Sequence, residues 1–317
     1  MDELELGPLG LGTANLGNLF HAISDEEAWR ILETAWECGI RYYDTAPHYG
    51  LGLAERRLGA FLATKPREEF VVSTKVGRLL RPDARGALRT DDVNDFVVPS
   101  DLARVWDFRP DGIRQCLEES LDRLGLDRVD IAYLHDPERY DLRRGVDEAL
   151  PALAKLRAEK VVRAVGVGSM VGDALLTAAR TGVPDLLMVA GRLTLADQTG
   201  NVLLPVCSEH GIGLVGAAVF NSGLLVDPSP SETSLFDYEP VSWEVLMRTR
   251  RIAAVCARYD VPLATAALQY PLRLPGVRSV VAGGATPEQV RQNALGARVE
   301  VPDGLWQRLL DEDLVAL

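Results

Sequence analysis

Cysteine, histidine and methionine are scarce in this 317-residue chain, with four of each. The cysteines, Cys38, Cys116, Cys207 and Cys256, are far apart and form no CxxC pair. Each sits in an apolar or helical context, so they read as small buried thiols of a reducing compartment. The histidines, His21, His48, His135 and His210, are dispersed and no HExxH occurs, so no metal site is expected. Long apolar runs are missing too. None approaches the ~18–20 residues of a membrane span, and the longest, such as GIGLVGAAVF (211–220), fit buried strands. Positive charge is in short supply, the net charge being −12. An acidic surface argues against nucleic-acid or anionic-membrane partners and leaves room only for a local basic pocket. The opening MDELELGPLG is acidic where a secretory leader is basic, so a cytoplasmic location is expected.

What is present is apolar and rhythmic. Hydrophobic residues make up 47% of the chain, enough for one large core. Short β-branched runs at 8–13, 40–44, 69–75, 129–134, 162–168, 185–190, 212–218 and 278–282 alternate with helical patterns. The helical patterns fall at 25–38, 53–63, 110–124, 143–159, 171–181, 200–210, 242–259 and 287–297, the first with Ser24 as N-cap and Gly39 as its stop. Most strand candidates are apolar throughout, as parallel strands covered on both faces should be. Eight strand–helix units predict an α/β fold, a (β/α)8 TIM barrel forming a single domain over 1–317. A doubly wound sheet is the alternative, but its glycine fingerprint must follow a strand and open a helix. The one match, GIGLVG (211–216), follows a helical pattern and is itself strand-like. Residues 78–109, 221–241 and 302–317 exceed a minimal barrel. The first two are expected as long loops at the C-terminal face and the last as a terminal helix.

Three strand candidates end on polar residues that a packed core would not choose. IRYYD, EFVVSTK and VDIAYLH end on Asp44, Lys75 and His135, and Tyr49 follows in the loop DTAPHYG. In a barrel these four meet at the catalytic face. A buried lysine beside a carboxylate stays charged. That ammonium is expected to lower the pKa of a nearby tyrosine, which can then protonate a carbonyl or deprotonate an alcohol. A neutral histidine can orient the same oxygen. No good nucleophile accompanies them, so carbonyl–alcohol interconversion fits better than hydrolysis. Pocket candidates around them are His48, Trp106, Phe108 and Trp243.

The segments GLGTANLG, RYYDTAPHYG, VVSTK, LDRLGLDRVDIAYLHDPE and GGATPEQVRQN resemble the aldo-keto reductase superfamily over residues 8 to 300. The resemblance implies hydride transfer between NAD or NADP and a small carbonyl or sugar substrate. It makes Tyr49 the general acid/base, Lys75 and Asp44 its tuners, and His135 the substrate orienter. It places cofactor contacts at Gly12, Thr13 and Asp44, at Ser169, at Phe220, Asn221, Ser222, Gly223 and Leu224, and at Gly283, Gly284, Ala285, Gln289 and Asn293. AVGVGSM, AGRLTLADQ and FNSGLL resemble the aldose dehydrogenase branch, with substrates such as L-fucose or D-threo-aldoses. Pyridoxal 4-dehydrogenation or general aldehyde and ketone reduction is the alternative, and a channel β-subunit-like regulatory role a more distant one. A 2′-phosphate wants charged donors, and only Arg291 stands near the GGA loop, which favours NAD. Arg192 stands where the sixth strand commonly carries a glutamine. A monomer or small homo-oligomer is expected.

Overall fold

The computed structural model describes residues 4–86 and 88–316. The first three residues of the acidic opening segment, residue 87 of the expected 78–109 loop and the last residue of the expected terminal helix lie outside them.

Eight parallel strands close into a barrel: β1 (Leu9–Gly12), β2 (Tyr42–Asp44), β3 (Val71–Val76), β4 (Ile131–His135), β5 (Ala164–Ser169), β6 (Leu186–Ala190), β7 (Gly213–Ala217) and β8 (Val277–Gly283). Each pairs with its neighbours in sequence, and β1 pairs with β8 to close the ring. All eight expected strands are present. GIGLVG is split between a helix end at Gly211 and the start of β7, so it is no phosphate-binding turn.

Two apolar layers hold the barrel. Alternate side chains point inward, and Tyr42, Ile131, Tyr133, Met188, Val215 and Val281 fill the interior. The opposite faces, with Tyr43, Val72, Leu134, Val167 and Leu214, pack under the surrounding helices in one continuous outer core. The same alternation turns Ser73 and Lys75 inward, while Thr74 donates outward to the fully buried Glu55. Arg123 pairs with the other oxygen of Glu55 at 2.6 Å, so one carboxylate joins β3 to two helices.

The helices are α1 (Asp25–Glu37), α2 (Leu53–Leu62), α3 (Pro110–Leu124), α4 (Leu150–Ala158), α5 (Gly172–Ala179), α6 (Leu203–His210), α7 (Trp243–Arg258), α8 (Leu263–Gln269), α9 (Pro287–Gly296) and α10 (Asp303–Asp311). Ser24 and Glu27 form a capping box at the start of α1, which ends before Gly39 at φ 81°. The helical pattern at 143–159 opens with a π turn over Gly145–Ala149 before α4. Helix α8 has no counterpart in the sequence reading. It follows Pro262 and is buried along most of its length, so it lacks the polar face that makes a helix periodic.

The 78–109 segment is not an open loop. Arg78–Pro82 pairs antiparallel with Leu102–Trp106, and Thr90–Asp91 pairs with Phe96–Pro99. This lobe lies against the loops after β1 and β2. Phe96 bridges to Leu19, and Arg104 donates to His48 O at 2.7 Å. Leu51, Leu80, Phe96 and Val98 make a third apolar cluster there, with Tyr49 packed on it.

The loops after β1 and β2 meet backbone to backbone. A Cβ on Gly17 would stand 2.6 Å from Tyr49 C, and one on Gly50 would stand 2.2 Å from Gly17 O. Gly50 also has φ 59°, so both positions need glycine. Overpacking of this kind costs about 1–3 kcal/mol. Gly17→Ala is therefore expected to lose stability in that range in denaturant unfolding; an unchanged midpoint would contradict the contact.

Candidate active site

Lys75 and Asp44 end β3 and β2 inside the barrel, and their side chains are both 3% exposed. Lys75 Nζ donates to Asp44 Oδ2 at 2.6 Å, to Thr45 O at 3.1 Å and to Tyr49 Oη at 3.1 Å. All three ammonium protons are thereby used. Asp44 Oδ1 accepts from Ser73 Oγ at 2.6 Å, and Ser73 contacts Tyr42 Oη at 3.1 Å. Thr13 pins the Asp44 carbonyl with both its N–H and its hydroxyl. The expected cofactor residue Thr13 thus spends its side chain on the β2 backbone.

Electrostatics sorts the four groups. Burial alone would lower the Lys75 pKa, but the Asp44 carboxylate and the hydrogen bonds to Asp44 and Tyr49 outweigh it and hold the ammonium above its ordinary range. The Tyr49 phenol goes the other way from the sequence expectation. Desolvation raises it, and the pull of Lys75 only partly offsets that. Tyr49 is therefore a neutral phenol at neutral pH. His135, 8% exposed, is pushed well below the usual imidazole range by burial and then by the nearby cations Arg78 and Lys75. It is a neutral ring, 6.1 Å from the Tyr49 ring, centroid to centroid.

His48 joins this group. Its ring lies 5.6 Å from that of His135, its Nδ1 is buried without a partner, and burial lowers its pKa to about 2. Trp106 stacks on Tyr140 at 5.5 Å and carries the Arg78 guanidinium on a face at 4.4 Å, forming a wall of the mouth. Phe108 is wholly buried in the outer core and faces no pocket. Trp243 starts α7, is 64% exposed, and takes no part in the aromatic cluster around Tyr49.

The residues expected to contact a dinucleotide lie around the rim of the barrel. Gly12 sits in register between Asp44 and Gly283 at the barrel rim, with the Val281 side chain close beside it. After β7 the chain makes a run of left-handed residues, with φ 50° at Ala218, 44° at Asn221, 57° at Ser222 and 92° at Gly223. Such strain is retained where the surrounding structure fixes a loop for use. Asn221 donates to Gly191 O, but its Oδ1 is buried without a partner. Ser222 Oγ accepts from Tyr238 N, and Phe220 packs on the outer core beside Leu224. Past β8, Gly283, Gly284 and Ala285 lead into α9, whose free N–H groups favour an anion. Gln289 accepts from Ala285 N and Asn293 donates to Gly283 O, so both side chains shape this loop. Ser169 ends β5 and donates to Glu138 Oε1 at 2.7 Å, while Glu138 Oε2 is buried and unpartnered. Orphaned acceptors at Asn221 and Glu138, with the free N–H groups of α9, fit an elongated ligand carrying amide donors and phosphates.

Arg192 pairs with Asp197 at 3.2 Å and with Asp237 at 2.6 Å, and so ties the 221–241 loop to the end of β6. That loop reaches across to the loop after β1, where the Tyr238 and Phe20 rings are 5.9 Å apart. Glu138, the Arg78–Asp136 pair and the Arg192–Asp237 pair escaped the sequence reading. Asp136 stood in plain sight within LHDPE, but its partner lies 58 residues away.

The family model described as Aldo/keto reductase family matches residues 8–309. D-threo-aldose 1-dehydrogenase of a Pseudomonas species is 56% identical over 98% of this chain and 95% of its own length. Pyridoxal 4-dehydrogenase of Microbacterium luteolum is 37% identical over 99% of this chain and 96% of its own length. The holo form of an aldo-keto reductase from Bacillus halodurans superposes with a TM-score of 0.75 at 24% identity, covering 100% of this chain and 97% of that one. At that identity the structural likeness speaks for the barrel alone. With 302 consecutive positions (309 − 8 + 1) under the family model and over half of all aligned residues shared with a full-length relative, the chain belongs to the aldo/keto reductase family.

Proposed function

We propose that this chain is a nicotinamide-dependent aldose 1-dehydrogenase, oxidising a sugar hemiacetal to a lactone. The observation that carries the reading is the hydrogen-bonded run Tyr49–Lys75–Asp44 at the barrel mouth. Such a run can take up one proton and leave the carbon–hydrogen bond as the other thing to break. The name of the 56% identical relative points to sugars. Pyridoxal oxidation is the second reading, motivated by the 37% identical relative.

In the oxidative direction Tyr49 Oη takes the proton of the anomeric hydroxyl. Lys75 stabilises the phenolate that does so, and Asp44 keeps Lys75 charged and in place. His135 stays neutral and donates a hydrogen bond to the reacting oxygen, which fixes the angle of the sugar. A bound nicotinamide supplies the two-electron step as a hydride acceptor. Gly12, Gly283 and the loop at 218–224 would hold its dinucleotide, with Ser169 and Glu138 at the amide end and α9 at a phosphate. Phe220, Gln289 and Asn293 would support these contacts from behind.

The charge around α9 favours NAD. Arg291 is half-exposed and lies 3.8 Å from Glu288, and Gln289 is neutral. No preorganised guanidinium fork therefore awaits a 2′-phosphate. One domain spanning 1–317, acting in the cytoplasm on a small molecule as a monomer or small homo-oligomer, completes the reading. Free thiols at Cys38, Cys116, Cys207 and Cys256 support it, and no described helix is long and apolar enough to cross a membrane.

Three outcomes test this. Tyr49→Phe is expected to lower kcat by about 10²–10⁴-fold, the usual worth of a positioned acid/base, while a fluorescence titration still registers cofactor binding. Wild-type turnover in that variant would remove the mechanism. The second test is pH. Because burial raises the Tyr49 phenol, oxidation should climb about tenfold per pH unit below that raised pKa as phenolate forms, while carbonyl reduction, which uses the neutral phenol, should stay flat until the pKa is reached and fall only above it. His135 should add no break near neutrality; opposite slopes would reverse the assignment. Third, kcat/KM with L-fucose should be higher for NAD+ than for NADP+, and a clear NADP+ preference would place a phosphate site where none is read.

A further inference from the structure

Arg78 and Asp136 form an ion pair that the proton transfer above does not use. Arg78 follows β3 and Asp136 directly follows His135, with Arg78 Nη2 2.5 Å from Asp136 Oδ2. The Arg78 side chain is 5% exposed, and its Nε is buried with no hydrogen-bond partner. Stacking on Trp106 fixes the guanidinium plane. Arg78 and Trp106 also line a cavity of about 1050 Å3 walled by the 78–109 lobe and Arg139.

Asp136 has a left-handed backbone, φ 40° and ψ 59°, which is costly for a residue other than glycine. Its N–H is held by Gly168 O at 2.9 Å. The bend brings its carboxylate back over the reaction centre, with Oδ2 3.7 Å from His135 Nε2. Its charge reaches Tyr49 as well, where it disfavours the phenolate. A carboxylate present only to neutralise Arg78 would place both oxygens in the guanidinium fork. Here Arg78 makes a single contact and Arg139 lies 4.0 Å from the same oxygen. Oδ1 accepts no hydrogen bond from the described residues, and the side chain remains 17% exposed.

Resting on the aldose reading above, we propose that Asp136 determines sugar specificity: its free Oδ1 accepts the hydroxyl on the carbon next to the reacting one, and Arg78 positions it. His135 holds the oxygen on the reacting carbon and Asp136 holds its neighbour. An aldehyde without that hydroxyl would leave the carboxylate to water.

The test is a two-by-two comparison of kcat/KM, wild type and Asp136→Asn against L-fucose and 2-deoxy-L-fucose. Wild type should prefer the full sugar by about 10- to 100-fold, the worth of a hydrogen bond to a charged group. Asp136→Asn should narrow that preference to about threefold or less. Arg78→Lys keeps a buried cation on Asp136 but loosens it, so it should narrow the preference partway. It decides the matter if Asp136→Asn does not fold by thermal melting. A fall on both sugars with an unchanged ratio would mark a merely structural pair and overturn the assignment. A wild-type enzyme that turns over simple aldehydes but neither sugar would remove the aldose reading, and this assignment with it.

Discussion

The ion pair between Lys75 and Asp44 is the constraint around which the mouth of this barrel is built. Two opposite charges buried at 3% exposure are costly to desolvate, and attraction repays that only when every remaining hydrogen-bonding position is also filled. Here they are filled. Lys75 uses its three protons on Asp44, Thr45 and Tyr49, and Asp44 takes Ser73 on its other oxygen. Thr13 then fixes the backbone of Asp44 from β1. The chemistry and the stability of three adjacent strands share one set of bonds.

Glu55 binds Thr74 on one side and Arg123 on the other, so the strand that bears Lys75 is held from outside the barrel as well. The left-handed residues after β7 and the bent Asp136 after β4 are strained positions at the rim, where the barrel is stiff enough to impose them. The orphaned acceptors Asn221 Oδ1 and Glu138 Oε2 lie at the same rim. The described N-terminal face instead carries Asp130, buried and engaged by Arg67 and by Val72 N.

The barrel was legible in the sequence because parallel strands covered on both faces must be apolar throughout, so a terminal Asp, Lys or His stands out. The four reactive groups could be found for that reason. What is decided by contact between distant segments could not. The 78–109 lobe pairs Arg78 with Trp106 across 28 positions, and neither strand is periodic enough to declare itself. Helix α8 was hidden by being apolar on all sides. The Tyr49 shift runs against the motif because its lysine neighbour can be read from the sequence, whereas its burial depends on Phe96 and Val98 of the 78–109 lobe.

The contact between Gly17 and Gly50 has a consequence for how such a barrel diversifies. Loops at the mouth are usually treated as independent modules, each free to lengthen or be exchanged on a fixed scaffold. The loops after β1 and β2 are not independent here, since each occupies the space that a side chain on the other would need. Recombination that takes one without the other would join mismatched backbones at the residue beside Tyr49. These two loops are therefore expected to change together, and the 78–109 lobe and the 221–241 loop, which touch them through Phe96–Leu19 and Tyr238–Phe20, must adapt to any such change.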